Sequence, residues 1–421
     1  MKDYPLSKKL QILTQTARYD NSCSSSGARR ETHPFGIGNT HLGGICHTWS
    51  ADGRCVSLLK ILLTNFCINN CKYCLCRRDK DIPRAILKPE ELARLTLEFY
   101  RRNYIEGLFL SSGIYRHPDY TMELMLQTVK ILRHKYLFNG YIHLKILPGT
   151  SRELIEEAFN LADRLSSNLE LPTEESLRKL APEKKLNQLR KPLEIVRELY
   201  EEKRKKAPAS TQIIVGASGD SDKTILSLAQ ELYRKKMVRR VYYSAYIPVN
   251  QDKDLPALKE PPFLREHRLY QGDWLLRFYN FQLEELFEGE DNLPLEIDPK
   301  LAWALRHLEF FPIELSRASF EELIRVPGIG PVSARKIIQA RKFGELSLET
   351  LKKLRVPLKR AKYFITIKGK PPLKISKKEL IAFEKGQREL FKEIKPYGSL
   401  QFIPYTKPLY FVSWNYEDLS L

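Results

Sequence analysis

The stretch Phe66–Cys76, FCINNCKYCLC, carries four of the seven cysteines of the chain, at positions 67, 71, 74 and 76. Thiolates that are this closely spaced on a loop can converge on one soft metal centre. The spacing is C-x3-C-x2-C, and the second C-x2-C pair that a paired zinc knuckle places roughly 12–20 residues away is missing. Three thiolates on a four-iron cluster would leave one iron without a protein ligand. The alternative is three buried or zinc-bound cysteines.

The composition supports a globular, metal- or redox-active protein with a polyanionic partner. The chain has 421 residues, of which 43% are apolar, and a formal net charge of +19. The apolar content is enough for a core, and the positive surplus indicates a polyanionic partner. No uncharged apolar run reaches the ~18–20 residues of a membrane span, and no secretory segment opens the chain. We therefore expect no membrane partner and a soluble, cytoplasmic protein, in which an odd cysteine count argues against a disulfide framework.

Six apolar or alternating runs downstream of residue 50 are each followed by a helical pattern. Alternation of this kind predicts an α/β fold with parallel strands and right-handed crossovers. The predicted strands are Val56–Asn65, Ile105–Gly113, Tyr141–Gly149, Asp163–Leu171, Thr211–Gly219 and Val238–Val249.

The cysteine spacing, with Tyr73 just before the third cysteine, resembles the signature of the radical SAM superfamily. The resemblance implies a partial (β/α)6 barrel in which Cys67, Cys71 and Cys74 hold a [4Fe–4S] cluster. S-adenosylmethionine would chelate the open iron, and one electron from the cluster would release a 5′-deoxyadenosyl radical that abstracts hydrogen. Cys76 is then a bystander thiol or, alternatively, a redox group or hydrogen donor.

The same resemblance points to small and polar residues at the carboxyl ends of the strands as cofactor contacts. Leu110–Gly113 stands where the superfamily usually carries a Gly-Gly-Glu-like stretch, and this chain lacks the glutamate. The ends of the fourth and fifth strands correspond to ribose, carboxylate and adenine contacts, although ordinary polar turns would look the same. The candidate cofactor-binding residues are Tyr73, Ser112, Gly113, Ser167, Asn168, Glu170 and Gly216, and no catalytic residue is identified.

The segment Ser319–Phe343, SFEELIRVPGIGPVSARKIIQARKF, predicts two helices joined by a glycine-containing turn. It resembles a helix-hairpin-helix motif, which binds the DNA backbone through amides at the start of its second helix. Residues 331–378 support this, with fifteen Lys and Arg against two Asp and Glu. An αα-hairpin used only for packing is the alternative, and Leu348–Phe364 could be a degenerate second copy. The candidate DNA-backbone residues are Gly328, Gly330, Ala334, Arg335 and Lys336.

Four regions are expected along the chain. They are an N-terminal extension at 1–50, the barrel with a closing helix at 51–290, a small α-helical helix-hairpin-helix domain at 291–364, and a basic, aromatic tail at 365–421. Within the second, Phe263–Phe287 is rich in Arg and aromatic residues, as in a solvated face or a substrate contact.

Residues 15–345 together resemble a family of radical SAM proteins of DNA modification or repair, associated with a uracil-DNA-glycosylase-like partner. The resemblance implies an enzyme that acts on a nucleotide in DNA and needs a reductant protein. Two alternatives stay open. One is an enzyme that modifies RNA or tRNA, and the other is a non-catalytic DNA-binding scaffold or redox sensor with an iron–sulfur cluster.

Overall fold

A computed structural model describes residues 4–17, 45–49, 55–203 and 209–372. These residues fall into two compact units, one within Met1–Gly219 and Leu232–Pro261 and the other within Asp220–Glu231 and Pro262–Ser399. Cys23 and most of the predicted C-terminal tail lie outside the described residues. The four-region division stays a prediction.

The first unit is built on a seven-stranded sheet in the order β1 to β7. The six strands β2 to β7 pair in parallel, as the alternating pattern predicts, while β1 pairs with β2 in the antiparallel sense and was not foreseen. The α/β prediction, with its partial barrel of six parallel strands, is therefore confirmed. The strands are β1 Ile45–Trp49, β2 Cys55–Leu62, β3 Gly107–Ser111, β4 Tyr141–Lys145, β5 Arg164–Ser166, β6 Ser210–Val215 and β7 Arg240–Ala245.

Helices separate the parallel strands, and local sequence explains where several of them begin. Pro89 and Pro118 open α2 and α3 at a position where no backbone N–H is needed. Thr173 caps α5 by accepting a hydrogen bond from the Ser176 N–H. The helices up to β7 are α1 Leu6–Ala17, α2 Pro89–Arg101, α3 Pro118–Lys130, α4 Arg152–Leu161, α5 Glu174–Leu180, α6 Leu186–Lys203 and α7 Asp222–Arg234, and a π-helical turn, Ile131–Lys135, extends α3.

The two faces of the sheet differ in chemistry because successive side chains of a strand point to opposite sides. One face carries fully buried aliphatic residues such as Ile61, Leu108 and Leu144. The opposite face carries Phe109 and polar residues such as His143 and Ser166. Apolar burial of the first kind is what holds helices against a parallel sheet.

The second unit is mainly helical, and its largest fully buried side chains are Phe281, Phe287 and Phe364. A short parallel pair, β8 Ile313–Glu314 with β9 Ile365–Thr366, brackets the hairpin region. Its remaining helices are α8 Phe263–Phe278, α9 Leu283–Phe287, α10 Pro299–Arg306, α11 Phe320–Arg325, α12 Pro331–Ala340, α13 Leu348–Lys353 and α14 Leu358–Ala361, and a 3-10 turn, Leu308–Phe310, follows α10.

The arginines of α8 form bonds within this unit. Arg265 donates to Asp222 at 2.6 Å, and Arg277 pairs with Asp273 one turn earlier on the same helix at 2.8 Å. Arg268 donates to the Leu295 carbonyl at 2.7 Å. These three arginines therefore have partners within the unit, and a substrate contact of α8 stays a prediction.

Within the described residues, no helix combines the length and the apolar character needed to cross a membrane.

Candidate functional site

The cysteine segment lies on the loop that follows β2, at the carboxyl edge of the parallel strands. Backbone bonds hold it to the ends of two other elements, because Ile68 donates to the Ile114 carbonyl at 2.9 Å and Lys72 donates to the Leu180 carbonyl at 2.8 Å. The Cys74 N–H donates to the Cys71 carbonyl at 3.0 Å, which closes a tight turn between these two cysteines.

Arg84 organises the interior of this loop. Its guanidinium donates to four backbone carbonyls, at 2.6 Å to Asn65, 2.9 Å to Cys76, 2.6 Å to Arg77 and 2.8 Å to Lys80. A planar group with five donors suits this task, because an irregular loop otherwise leaves carbonyls without partners. The sequence pattern gave no indication of this role.

The segment that follows β7 ties down the same loop. The Asn250 side chain donates to the Lys72 carbonyl at 2.6 Å and to the Cys74 carbonyl at 2.8 Å. Lys72 forms ion pairs with Asp252 and Asp254, and Arg77 contacts Asp252 at 3.4 Å. The loop therefore has its shape before any ligand is considered.

The three thiols that the sequence nominates influence one another. The pKa of Cys71 is raised to about 12, mainly by burial, with Lys184 opposing the rise and the Cys74 and Cys67 sulfurs contributing to it. Burial also raises the pKa of Cys67, with Cys74 adding to the shift. Cys74 has its pKa raised first by a hydrogen bond with Cys76 and then by burial. Three soft donors near one another on a preformed loop fit an iron–sulfur cluster, whose binding would displace the thiol protons. Among the described residues, no three His, Cys, Asp or Glu side chains form a site for a single metal ion.

A buried charged group that the sequence analysis missed lies beside these thiols. Lys184 contacts Glu170 at 3.2 Å, and both side chains are largely buried. Burial by itself would lower the pKa of Lys184, but Cys71, Glu170 and Tyr73 raise it well above its ordinary value. The ion pair therefore keeps a cation next to the thiols. No motif signals this lysine, because it lies between two helices, far along the chain from the cysteines.

Tyr73 and Glu170 both lie near the loop, as the resemblance implies. The Tyr73 side chain is buried, and its hydroxyl has no hydrogen-bond partner among the described residues. Burial raises the pKa of Tyr73 well above its usual value, and Glu170 contributes to the shift. Glu170 adopts a positive φ of 66° and joins the edge of β6, where its carbonyl accepts from the Ile214 N–H at 2.7 Å.

The remaining candidate cofactor residues lie at the same carboxyl edge. The Gly113 N–H donates to the Thr64 carbonyl. A Cβ at this position would lie 2.3 Å from the Phe66 carbonyl oxygen, so only glycine lets the cysteine loop lie this close to the end of β3. Ser112 bonds the Gly113 carbonyl at 2.7 Å. Gly216 follows β6 directly with a φ of 82°.

After β5, the two polar candidates differ in exposure. Ser167 is fully buried, and its hydroxyl has no hydrogen-bond partner among the described residues, whereas Asn168 is half-buried. An unsatisfied buried hydroxyl is costly, so we expect a ligand or a water molecule to supply the partner of Ser167.

The other cysteines play different parts. Cys76 is buried, and its N–H donates to the Cys74 sulfur at 3.3 Å, a bond of the kind that tunes a metal-bound thiolate. Cys46 packs with Leu58 and Phe109 in an apolar cluster, and Cys55 is exposed.

In the second unit, the turn Val326–Gly330 joins α11 to α12. Gly328 has a φ of 88°, and a Cβ there would lie 3.2 Å from both the Arg360 Cβ and the Pro357 carbonyl oxygen. Gly330 is the residue before the first turn of α12 and supplies no side chain to cap it. The first amides of α12 are therefore not capped by a side chain, the arrangement that binds a phosphate at a helix start.

A buried lysine supports this turn. Lys300, on α10, donates to the Ile329 carbonyl at 2.5 Å and lies 4.7 Å from the Tyr279 ring centroid. Burial lowers the pKa of Lys300 to about 7. Sequence reasoning missed it because the residue precedes the motif by about one helix and has no recognisable spacing.

The candidate DNA-backbone residues of α12 are not equivalent. Arg335 and Lys336 are exposed. Ala334 is fully buried, and its N–H donates to the Gly330 carbonyl at 2.9 Å, so it packs inside the hairpin instead of facing a ligand.

Parallel strands in a partial barrel, with the cysteine-bearing loop at their carboxyl edge, place this unit in the class of α/β barrels, whose active sites lie at that edge. Residues 61–232 match the family model of the Radical SAM superfamily, and residues 313–340 match that of the helix-hairpin-helix motif. The chain thus contains a Radical SAM domain, the domain of enzymes that use a [4Fe–4S] cluster and S-adenosylmethionine. No curated protein matches the chain.

Among solved structures, three similar ones are the following. A maturase of the [FeFe]-hydrogenase, HydG, has 15% identity and a TM-score of 0.40 over 49% of this chain and 46% of its own. Methylornithine synthase (PylB) has 15% identity and a TM-score of 0.39 over 57% of this chain and 71% of its own. A radical SAM methyltransferase from Sphaerobacter thermophilus has 16% identity and a TM-score of 0.35 over 54% of this chain and 69% of its own. The chain spans less than half of the maturase.

Proposed function

We propose that this chain is a radical SAM enzyme that modifies or repairs a nucleotide in DNA. The observation that carries the proposal is the presence, in one chain, of a Radical SAM domain at 61–232 and a helix-hairpin-helix motif at 313–340. The Radical SAM domain would carry out chemistry on an unreactive carbon, and the helix-hairpin-helix motif would bind a nucleic acid backbone.

In the first unit, Cys67, Cys71 and Cys74 would hold the cluster. When bound, the cluster and S-adenosylmethionine supply a 5′-deoxyadenosyl radical that removes a hydrogen atom from an unactivated carbon. The chain itself shapes the loop through Arg84 and keeps the Lys184–Glu170 ion pair beside the thiols. Ser112, Ser167, Asn168 and Gly216 stand at the same edge as candidate contacts for S-adenosylmethionine.

In the second unit, the first amides of α12 would bind a backbone phosphate, with Arg335 and Lys336 adding charge. Contacts of this kind position a duplex without reading its sequence. A carbon inside a duplex is out of reach of a barrel, so the target nucleotide would have to be unpaired or flipped out.

The enzymatic part is tested by anaerobic incubation of the reconstituted protein with dithionite and S-adenosylmethionine. We expect 5′-deoxyadenosine and methionine, detected by mass spectrometry, and expect Cys71→Ala to abolish both. A protein that holds a full complement of iron and still forms no 5′-deoxyadenosine would contradict the proposal.

The nucleic acid part is tested by competition. Helix-hairpin-helix motifs favour duplex DNA, so we expect labelled DNA to be displaced by duplex DNA more readily than by structured tRNA. The reverse preference would support an enzyme that modifies RNA.

A scaffold or redox sensor is separated from an enzyme by electron paramagnetic resonance. We expect S-adenosylmethionine to change the spectrum of the reduced cluster, because it would bind an iron that no cysteine occupies. An unchanged spectrum would favour the scaffold.

The proposal includes two protein partners. A reductant protein would supply the electron, and a uracil-DNA-glycosylase-like protein would act on the same DNA. Comparison of DNA nucleosides from cells with and without the protein, by mass spectrometry, would identify the altered nucleotide.

A further inference from the structure

The strands of the seven-stranded sheet carry positive charge and no negative charge. Strands β1 to β7 contain Lys60, Lys145, Arg164 and Arg240, and not one Asp or Glu. A parallel sheet covered by helices is normally apolar on both faces, so four cations on its strands are unusual.

Strand register places these cations on one face, because residues that pair across a sheet point to the same side. Lys60 pairs with Phe109, Phe109 with His143, and His143 with Arg164. This first row of side chains runs across β2, β3, β4 and β5.

A second row of side chains on the same face lies two residues further along β4, towards its carboxyl end. Lys145 pairs with Ser166, Ser166 with Ser210, and Ser210 with Arg240. Lys145 is the last residue of β4, and the cysteine loop begins at this same edge of the sheet. Lys60 and Lys145 therefore lie near the carboxyl ends of their strands, whereas Arg164 and Arg240 are the first residues of β5 and β7.

Ring stacking and hydrogen bonds join the two rows into one polar surface. The His143 ring stacks on Phe109 with centroids 4.2 Å apart, and its Nε2 lies 2.8 Å from the Ser166 hydroxyl. Arg164 donates to the Ser210 hydroxyl at 2.9 Å and to the Tyr242 hydroxyl at 2.7 Å. The surface is thus held in a defined geometry.

Two polar atoms of uncharged side chains within the strands of this face are buried and lack hydrogen-bond partners among the described residues. They are Nδ1 of His143, which is fully buried, and Oε1 of Gln212, which is 4% exposed. Gln212 pairs with Tyr242, so it belongs to the same face. Atoms of this kind usually have a partner, which here would be a ligand or water.

The cations of this face influence the protonation of His143. The pKa of His143 is lowered well below its ordinary value, first by burial and then by Arg164, Lys145 and Lys60. A neutral histidine among three cations leaves the surface positive at neutral pH.

We propose that this face, around Lys60, Lys145 and Arg164, binds a phosphate group of the nucleotide on which the enzyme acts. The inference rests on the proposed function and adds to it, because it assigns a phosphate contact to the sheet of the first unit in addition to the hairpin motif. Nucleic acid carries one phosphate per nucleotide, and an arginine fork beside lysines is a common way to hold one.

The test compares nucleotides with nucleosides on the full-length, reconstituted protein. Binding of the four deoxynucleoside 5′-monophosphates and of the four matching deoxynucleosides is measured by anaerobic calorimetry in the presence of S-adenosylmethionine. We expect at least one monophosphate to bind roughly tenfold or more tightly than its nucleoside, since the difference is a charge-assisted contact.

The variants Lys145→Met and Lys60→Met are expected to remove that tenfold preference. Lys145 is buried and Lys60 is half-buried, so the second variant preserves the test if the first fails to fold. Lys135→Met, at an exposed lysine of the same unit, is the matched control and should keep the preference.

Equal binding of monophosphate and nucleoside by the wild-type protein would overturn the phosphate site. So would variants that lose affinity for S-adenosylmethionine and keep the nucleotide preference, because the cations would then serve the cofactor carboxylate. The proposed function has a separate readout in 5′-deoxyadenosine. A protein that binds the monophosphate but never cleaves S-adenosylmethionine overturns the proposed function alone.

Discussion

Lys184 illustrates what single residues contribute that motifs do not reveal. It lies 3.2 Å from Glu170 and next to Cys71, three positions spread over more than a hundred residues of chain. A cation near thiolates lowers the cost of keeping them charged, so this lysine would favour cluster binding. Only the fold brings the three together.

Lys300 leads to a prediction about pH. Its pKa is about 7 in the folded protein, below its ordinary value of 10.5, because the amine is buried. Between these two values the unfolded chain binds a proton that the folded chain lacks, so the free energy of unfolding rises with pH. We expect a rise of roughly 1 kcal/mol per pH unit in the middle of that window, measured by urea unfolding between pH 7.5 and 9.5.

The Lys300→Met variant isolates this contribution. It removes the titrating group, so its free energy of unfolding should lack that rise across the same interval. If the variant and the wild-type protein change in parallel with pH, Lys300 does not titrate in this window.

At the scale of elements, the cysteine loop depends on Arg84, which bonds four of its carbonyls. We expect Arg84→Gln to lower the iron bound per chain after reconstitution by at least about half, because several carbonyls lose their donor. Iron analysis and the absorbance of the cluster measure the effect.

Arg101→Gln is the control for that experiment. Arg101 is 66% exposed on its side chain and belongs to α2, away from the loop carbonyls. It should bind as much iron as the wild-type protein. Full iron content in Arg84→Gln would show that the loop holds its shape by other bonds.

The hairpin turn gives a second prediction at this scale. Gly328→Ala combines a positive φ with a close contact to Arg360 and Pro357, so the turn must shift. We expect duplex DNA to bind several-fold more weakly, as measured by fluorescence anisotropy.

Gly289→Ala is the matched control, because Gly289 also has a positive φ, of 93°, but nothing lies within 4 Å of its Cβ position. It should lose about 1 kcal/mol of stability from backbone strain and keep its DNA affinity. Equal DNA affinity in both variants would mean that the turn does not contact DNA.

For the whole molecule, the +19 charge predicts salt-sensitive binding to nucleic acid. Each lost phosphate contact should reduce the slope of log affinity against log salt by about 1. We expect Arg335→Gln and Lys336→Gln each to reduce this slope by about 1 on every DNA sequence, and Lys135→Gln to leave the slope unchanged. A slope that stays constant in both hairpin variants would place the DNA contacts elsewhere.

Strand order could be predicted, and strand ends could not. The predicted fourth strand, Asp163–Leu171, is longer than the observed strand, Arg164–Ser166. Leu169 and Leu171 lie in the following loop, but both are buried, so their apolar character resembles that of a strand. Strand β1 escaped prediction because five residues without alternation carry no periodic signal. The cluster cysteines and the other cofactor residues all stay predictions, and the latter are the harder ones to assign because short polar turns look alike in sequence.

The alternation of apolar runs with helical patterns and the spacing of the cysteines were enough to define the sheet and to nominate the cluster ligands, because both signals are local. Tertiary structure alone decided that Arg84 supports the loop, that Lys184 lies beside the thiols, and that Lys300 supports the hairpin. It also placed the cations of four separate strands on one face. Contacts between residues far apart in the chain depend on the register and packing of whole elements, and local sequence does not record them.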